Sequence, residues 1–246
     1  MNVSALIAHS GLEIRQLVKR WDVVFFSIVM PLAVMYFFGT MFSTTGAAGT
    51  GSMAYKLPGY IVMAAMSVGL SALGFMLSTE RQFGILKRLG ATPLSRSMLL
   101  LSKMVASSLI VTAATAVLLA FGVFYYGVDI KGNLGGAAIV ITLGVLVFSI
   151  MGLTVAGLMQ SDAAAATTNG IYLIMTVLGG TLFPMSQMPE LVQQVGKLTP
   201  SYHFMEALTG VMAKGGSLMD VSGNLLVLAA WGTGLMFAAV RTFSWE

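Results

Sequence analysis

The sequence predicts an all-α, polytopic membrane protein with six transmembrane helices, and three observations carry that expectation. The first is scarcity of charge. Only 13 Lys+Arg and 9 Asp+Glu occur in 246 residues, or 9%, against roughly 25% in an ordinary globular chain. The second is apolarity, with 57% hydrophobic residues and a mean hydropathy of +0.88. The third is placement: 23–55, 57–79, 104–128, 132–161, 163–189 and 221–240 contain no Asp, Glu, Lys or Arg. The charged residues therefore crowd into the connections at a density ordinary for soluble protein. This pattern excludes disorder, a disulfide-stapled secreted domain and a conventional soluble enzyme. The absence of Cys also removes thiol and thiolate–metal chemistry.

A helix rises about 1.5 Å per residue, so about 20 apolar residues cross a hydrocarbon core about 30 Å thick. Each uncharged stretch is long enough, and the alternation of a β-barrel strand is missing. Spans are expected near 23–42, 57–79, 104–126, 137–160, 163–183 and 224–243. Ser222, Gly223 and Asn224 dilute the start of the last one. At its end Arg241 can snorkel to the headgroups, while Phe243 and Trp245 suit the interface.

An even number of spans places both termini on one side. Arg15, Lys19, Arg20, Arg81, Lys87, Arg88, Arg96, Lys103 and Arg241 then share that side, against Lys56, Lys131, Lys197 and Lys214 on the other. The positive-inside rule makes the richer side, and both termini, cytoplasmic. This asymmetry accounts for the net charge of +4 without a nucleic-acid partner.

Residues 1–21 precede the first span. Val3, Leu6, Ile7, Ile14, Leu17, Val18 and Trp21 recur at helical spacing, with His9, Glu13, Gln16 and Arg20 on the opposite face. This is the pattern of an amphipathic helix lying on the cytoplasmic leaflet. The basic residues follow the apolar ones and no small-residue cleavage site appears, so a signal peptide is not expected. Ala230, Gly234 and Ala238 on the sixth span, and Ala116 and Ala120 on the third, form small-residue rows that let helix backbones approach in lipid.

Catalytic constellations are missing. The histidines, His9 and His203, fall on opposite sides of the membrane, so no histidine metal site is expected. There is no G-x-S-x-G, no His-Glu-x-x-His and no phosphate-binding loop ending in Gly-Lys-Ser/Thr. The chain is expected to be no enzyme and to hold no cofactor. Asp162, ahead of four alanines, reads as a helix N-cap between the fourth and fifth spans. The lack of carboxylates inside the spans counts against coupling to an ion gradient.

Two connections are informative. In 80–97, Phe83, Leu86 and Leu89 share one helical stripe, with Arg81, Lys87 and Arg88 elsewhere on the wheel. Gly90 stops that helix, and Thr92-Pro93 turns the chain towards the third span. A short amphipathic helix fits a partner's groove; a solvated positive-inside loop explains the charges as well. In 184–220, Phe183-Pro184 and Met188-Pro189 break the fifth span, 190–197 forms a short helix and Leu198-Thr199-Pro200 ends it. Tyr202, Phe204, Met205, Leu208 and Met212 follow, beside His203 and Glu206. Helices this short suit re-entrant or interfacial positions. His203 and Glu206, three apart, either touch on one face or solvate the outer surface.

Taken together, these features resemble the type-2 ABC transporter permease family over essentially the whole chain. The most specific part is the loop Glu-x-x-x-Gly-x-Leu-x-x-Leu-x-x-Thr-Pro-Leu, here Glu80, Gly84, Leu86, Leu89, Thr92, Pro93 and Leu94, with Lys103 opening the third span. Ile85 departs from the Thr that many relatives carry, which leaves the subfamily open. The resemblance implies one permease domain, 1–246, in the cell (inner) membrane. It would pair with a second copy or a close relative and receive two ATP-binding subunits, which would hold the ATP and Mg.

On that basis Glu80, Arg81, Phe83, Gly84, Leu86, Lys87, Arg88, Leu89, Thr92 and Pro93 would form the ATPase-coupling helix. The first and fifth spans would contribute to the contact between permeases. Met63, Met66, Leu70 and Leu73, with Asn169, Tyr172, Met175 and Leu178, would line the substrate path. Pro184, Pro189, Pro200, Tyr202, His203 and Glu206 would form the outer gate. The expected function is ATP-driven export, by alternating access, of an amphiphilic or hydrophobic substrate such as a drug, antimicrobial peptide or lipid-like molecule. The alternative is an ion-coupled carrier or channel acting without an ATPase.

Overall fold

In hydrocarbon a backbone finds no partner but itself, so long apolar runs fold as helices. The computed structural model describes the backbone over residues 3–43, 53–90, 96–159 and 161–242, and side chains over 10–40, 53–90, 98–159 and 163–241. Every regular element among the described residues is helical. Helix α1 is Val3–Lys19. Helix α2 runs Trp21–Val24, through a π-helical turn Phe25–Val29, and on as Met30–Ser43. Helix α3 runs Met53–Met66, through a second π turn Ser67–Ala72, and on as Leu73–Gln82. Then come α4 (Ile85–Gly90), α5 (Arg96–Tyr126), α6 (Leu134–Leu158), α7 (Ser161–Leu178), α8 (Glu190–Gly196), α9 (Pro200–Met212) and α10 (Ser222–Thr242).

Five of these are long and apolar enough to cross a membrane: Trp21–Thr40, Met53–Gln82, Met98–Tyr126, Leu134–Leu158 and Ser222–Arg241. The expected fifth span, 163–183, is cut short. Its helix ends at Leu178, where Gly179 and Gly180 turn the chain and Gly180 adopts φ +67°. That left-handed conformation is a common helix stop. Two helices overrun expectation instead. Helix α3 begins ahead of Lys56 and Pro58 and ends at Gln82, and α5 begins at Arg96 rather than 104. A charged side chain lowers local hydropathy without breaking a helix, so Lys103 lies two turns inside α5.

The core centres on α3 and α6, whose most apolar 18-residue stretches are 89% and 67% buried residues, against 11% in α10. The π turn of α3 rests on α6 at Gly152. A Cβ there would fall 2.5 Å from the Leu70 carbonyl oxygen and 2.7 Å from that of Gly69. Only glycine permits this backbone contact. The small row expected on the sixth span does not work this way, since Gly234 meets nothing within 4 Å.

Helix α9 turns Phe204, Ala207, Leu208 and Val211 into the core. The Phe204 ring occupies the space over Gly144 and lies 6.3 Å from that of Phe148. Helix α1 packs on α5 with Ser10, Glu13 and Leu17 buried, while Leu12, Val18 and Trp21 are exposed. The face expected to be polar is thus partly an inner one. His9, Phe243 and Trp245 lie outside the described side chains, as does Asp162.

Candidate functional site

Helix α3 stops at Gln82, Phe83 turns at φ −85° and ψ 7°, and Gly84 follows at φ +65°. L-residues other than glycine are strained there. The single helix expected across 81–90 is therefore a corner with α4 leaving from it, and the stripe of Phe83, Leu86 and Leu89 is split. Leu86 is fully buried and Leu89 packs half-buried against the core, but Phe83 is 66% exposed. Ile85, Lys87 and Arg88 are exposed as well. The corner thus offers two apolar side chains and two cations to a partner. Thr92, Pro93 and Leu94 lie outside the described residues.

Two further residues of the loop act inside the protein. Arg81 Nη1 donates to the Ala156 carbonyl at 2.9 Å and lies 3.4 Å from the carbonyls of Gly157 and Met159. Its guanidinium thereby satisfies orphan acceptors at the C-terminus of α6 and opposes the negative end of that helix dipole. Glu80 is 7% exposed, with Oε1 2.7 Å from Lys103 Nζ. Glu13 Oε1 lies 3.0 Å from the same ammonium, which is itself fully buried. One cation between two carboxylates ties α1, α3 and α5 together. Coulomb attraction is strong in such a place, and desolvation opposes it. Sequence reasoning missed Glu13 and Lys103 as partners because no local spacing links them.

A cavity of about 370 Å³ opens between α2, α3 and α7. Both π turns face it, the first through Phe26 and the second through Ser67, Ser71 and Ala72. Such turns widen the helix locally and are frequent at functional sites. Asp22 at its edge pairs with Arg20 at 2.6 Å, and the Arg20 guanidinium lies 4.6 Å from the centre of the Phe75 ring. The Ser71 hydroxyl is buried with no hydrogen-bond partner among the described residues.

Of the expected path residues, Asn169 and Tyr172 line this cavity. Met63, Met66, Leu70 and Leu73 are elsewhere, at most 3% exposed within the core. Helix α3 turns Ser67, Ser71, Ala72 and Phe75 to the cavity and its Met and Leu stripe to its neighbours. Met175 accepts the Ser201 hydroxyl on its sulfur at 3.5 Å, and the Leu178 carbonyl abuts Gly196.

On the opposite side of the molecule the prolines punctuate. Pro184 precedes a 3₁₀ turn, Met185–Gln187, Pro189 precedes α8, and Pro200 opens α9 behind the Thr199 cap. His203 Nδ1 lies 2.8 Å from Asn224 Oδ1, and Nε2 lies 2.9 Å from the Lys197 carbonyl, linking α9 to α10 and to the end of α8. Glu206 lies 3.9 Å from Lys214 instead, so His203 and Glu206 are not paired with each other. Burial pushes the Tyr202 phenol above its usual range, and the Glu206 carboxylate adds to the shift. Among the described residues no cluster of His, Cys, Asp and Glu has the makings of a metal site.

Crossing-length apolar helices packed around α3 and α6, with a cavity between α2, α3 and α7, are the architecture of a polytopic membrane protein. Residues 6–213 match the ABC-2 type transporter family, and the chain belongs to it. It is 28% identical over 233 residues to the putative transport permease YvfS of Bacillus subtilis, covering 94% of this chain and 93% of that one. It is 24% identical over 235 residues to the probable doxorubicin resistance ABC transporter permease protein DrrC of Mycobacterium tuberculosis, covering 91% and 83%. A probable multidrug ABC transporter permease of Escherichia coli, YbhS, is 24% identical over 181 residues, 73% of this chain and 48% of that one. The chain is thus a membrane permease of an ABC transporter, a transport component whose family associates with an ATP-binding subunit.

Proposed function

We propose that the chain exports an amphiphilic or hydrophobic molecule by alternating access, driven by two ATP-binding subunits that hold the ATP and Mg. The cavity between α2, α3 and α7 carries this reading. Phe26, Phe75, Tyr172 and Leu173 supply apolar wall, while Asp22, Ser67, Ser71 and Asn169 supply a few polar groups. That mixture fits an amphiphile rather than a polysaccharide. The names of the relatives, doxorubicin resistance and multidrug, agree with it.

In this reading a second permease copy completes the path, and α7 with 179–183 makes a sixth crossing. Helices α8 and α9 stand as re-entrant elements at the exit, and α1 lies along the cytoplasmic leaflet of the inner membrane with both termini on that side. The exposed corner of Phe83, Ile85, Lys87 and Arg88 receives the ATPase.

The test is uptake of doxorubicin into inverted vesicles that contain the chain and its ATP-binding subunit. ATP-dependent, vanadate-sensitive uptake is expected. Uptake driven by an imposed proton or sodium gradient and indifferent to ATP would establish the ion-coupled alternative, for which the buried Glu13–Lys103–Glu80 cluster is the one supporting observation.

A further inference from the structure

A second cavity, of about 380 Å³, lies on the side opposite the α4 corner, between the start of α3, the turn after α7 and the helices α8 and α9. Four lysines were assigned to this side from sequence, and three of them, Lys56, Lys197 and Lys214, line this one cavity. Among the described residues Glu206 is its only acidic lining residue. Glu206 meets Lys214 at 3.9 Å with both side chains about half exposed, a weak pairing in water. The cavity therefore carries an excess of positive charge.

Two further features give the cavity the shape of a ligand. Thr209 lines it, and its hydroxyl is buried without a hydrogen-bond partner among the described residues. Leu182, Pro184, Met185 and Met205 form an apolar wall beside the lysines. Phe183, Leu191 and Leu198 are exposed on the same elements, as befits a surface in contact with lipid. Cations next to an apolar wall match a head that bears negative charge joined to an acyl chain. Lysine serves phosphate as a point charge.

We propose that this cavity binds the phosphodiester headgroup of an anionic lipid from the leaflet opposite the α4 corner, with the acyl chain along Leu182, Met185 and Met205. Occupied, it links α3 to α8 and α9 through Lys56, Lys197 and Lys214.

Native mass spectrometry of the purified chain from mixed micelles of phosphatidylglycerol and phosphatidylcholine reads the site directly. The expected result is retention of phosphatidylglycerol over phosphatidylcholine by roughly tenfold, the order set by ammonium groups beside an anionic head. The double variant Lys197→Gln/Lys214→Gln should lose that preference, and Lys197→Arg/Lys214→Arg should keep it. Lys131→Gln, on the same side but outside the cavity, should keep it too. Both exposed lysines can be replaced without disturbing the core, and an unchanged melting temperature in phosphatidylcholine checks this. Equal retention of the two lipids by the unaltered chain, or undiminished preference in the Gln variant, overturns the proposal. Displacement of phosphatidylglycerol by submillimolar inorganic phosphate assigns the site to a free anion and overturns the lipid.

Discussion

Lys103 Nζ sits 2.7 Å from Glu80 Oε1, closing a bridge across the base of the α4 corner. Glu80 lies in the last turn of α3, Lys103 lies within α5, and Glu13 brings α1 to the same ammonium. A force on the corner therefore reaches three helices at one buried point. The corner residues Phe83, Ile85, Lys87 and Arg88 are exposed, whereas Glu80 is buried against Lys103.

Lys103→Met leaves two carboxylates facing each other without their cation. Breaking a buried ionic cluster in this way costs about 3–5 kcal/mol, so the melting temperature of the purified chain should fall sharply. Adding Glu13→Gln and Glu80→Gln should restore most of it, since no buried charge is then left unpaired. Thermal melts of the single and triple variants check this.

Arg81→Ala should free the last carbonyls of α6, at a cost of about 0.3–2 kcal/mol for a helix terminus that loses its cation. Hydrogen exchange should rise around 156–159 while the α3–α5 bridge stays protected. Charge reversal at Arg81 therefore disturbs the protein itself, and Lys87 and Arg88 are the better probes of docking.

Gly152→Ala and Gly234→Ala are the same chemical change in adjacent helices with opposite expected outcomes. The Gly152 Cβ meets backbone oxygens of α3 that cannot swing aside, whereas Gly234 faces open space. Expression and melting temperature should collapse for the first. For the second they should hold or rise slightly, because alanine favours the helix.

Most of the architecture was legible because charge and apolarity are unevenly distributed along the chain: helix type, five of the spans and the proline-broken segment follow from that. What was hidden involves contacts between distant segments. Glu13 looked like part of a solvated face because its partner lies in another helix, and the bulky stripe of Met63, Met66, Leu70 and Leu73 looked like a path. Those four side chains are buried in the core, and Ser67, Ser71, Ala72 and Phe75 face the cavity. Neither π turn carries a sequence signal beyond the small residues Ser67, Gly69 and Ser71. Gly84 belongs to the loop pattern read from sequence, but its left-handed conformation at the corner needed the backbone.

Ser71→Phe should fill the cavity between α2, α3 and α7. ATP-driven doxorubicin uptake should fall at least several-fold, while the amount of ATP-binding subunit that co-purifies stays unchanged. Unaltered uptake would place the path elsewhere.

The most direct test of the account is vanadate-sensitive ATP hydrolysis by the chain co-purified with its ATP-binding subunit, compared with Lys87→Glu/Arg88→Glu. The expected result is substrate-stimulated hydrolysis in the unaltered complex and loss of both stimulation and co-purification in the variant, with membrane insertion intact. An ATP-binding subunit that co-purifies equally with both, and responds equally to substrate, would contradict the assignment of the α4 corner as the coupling site.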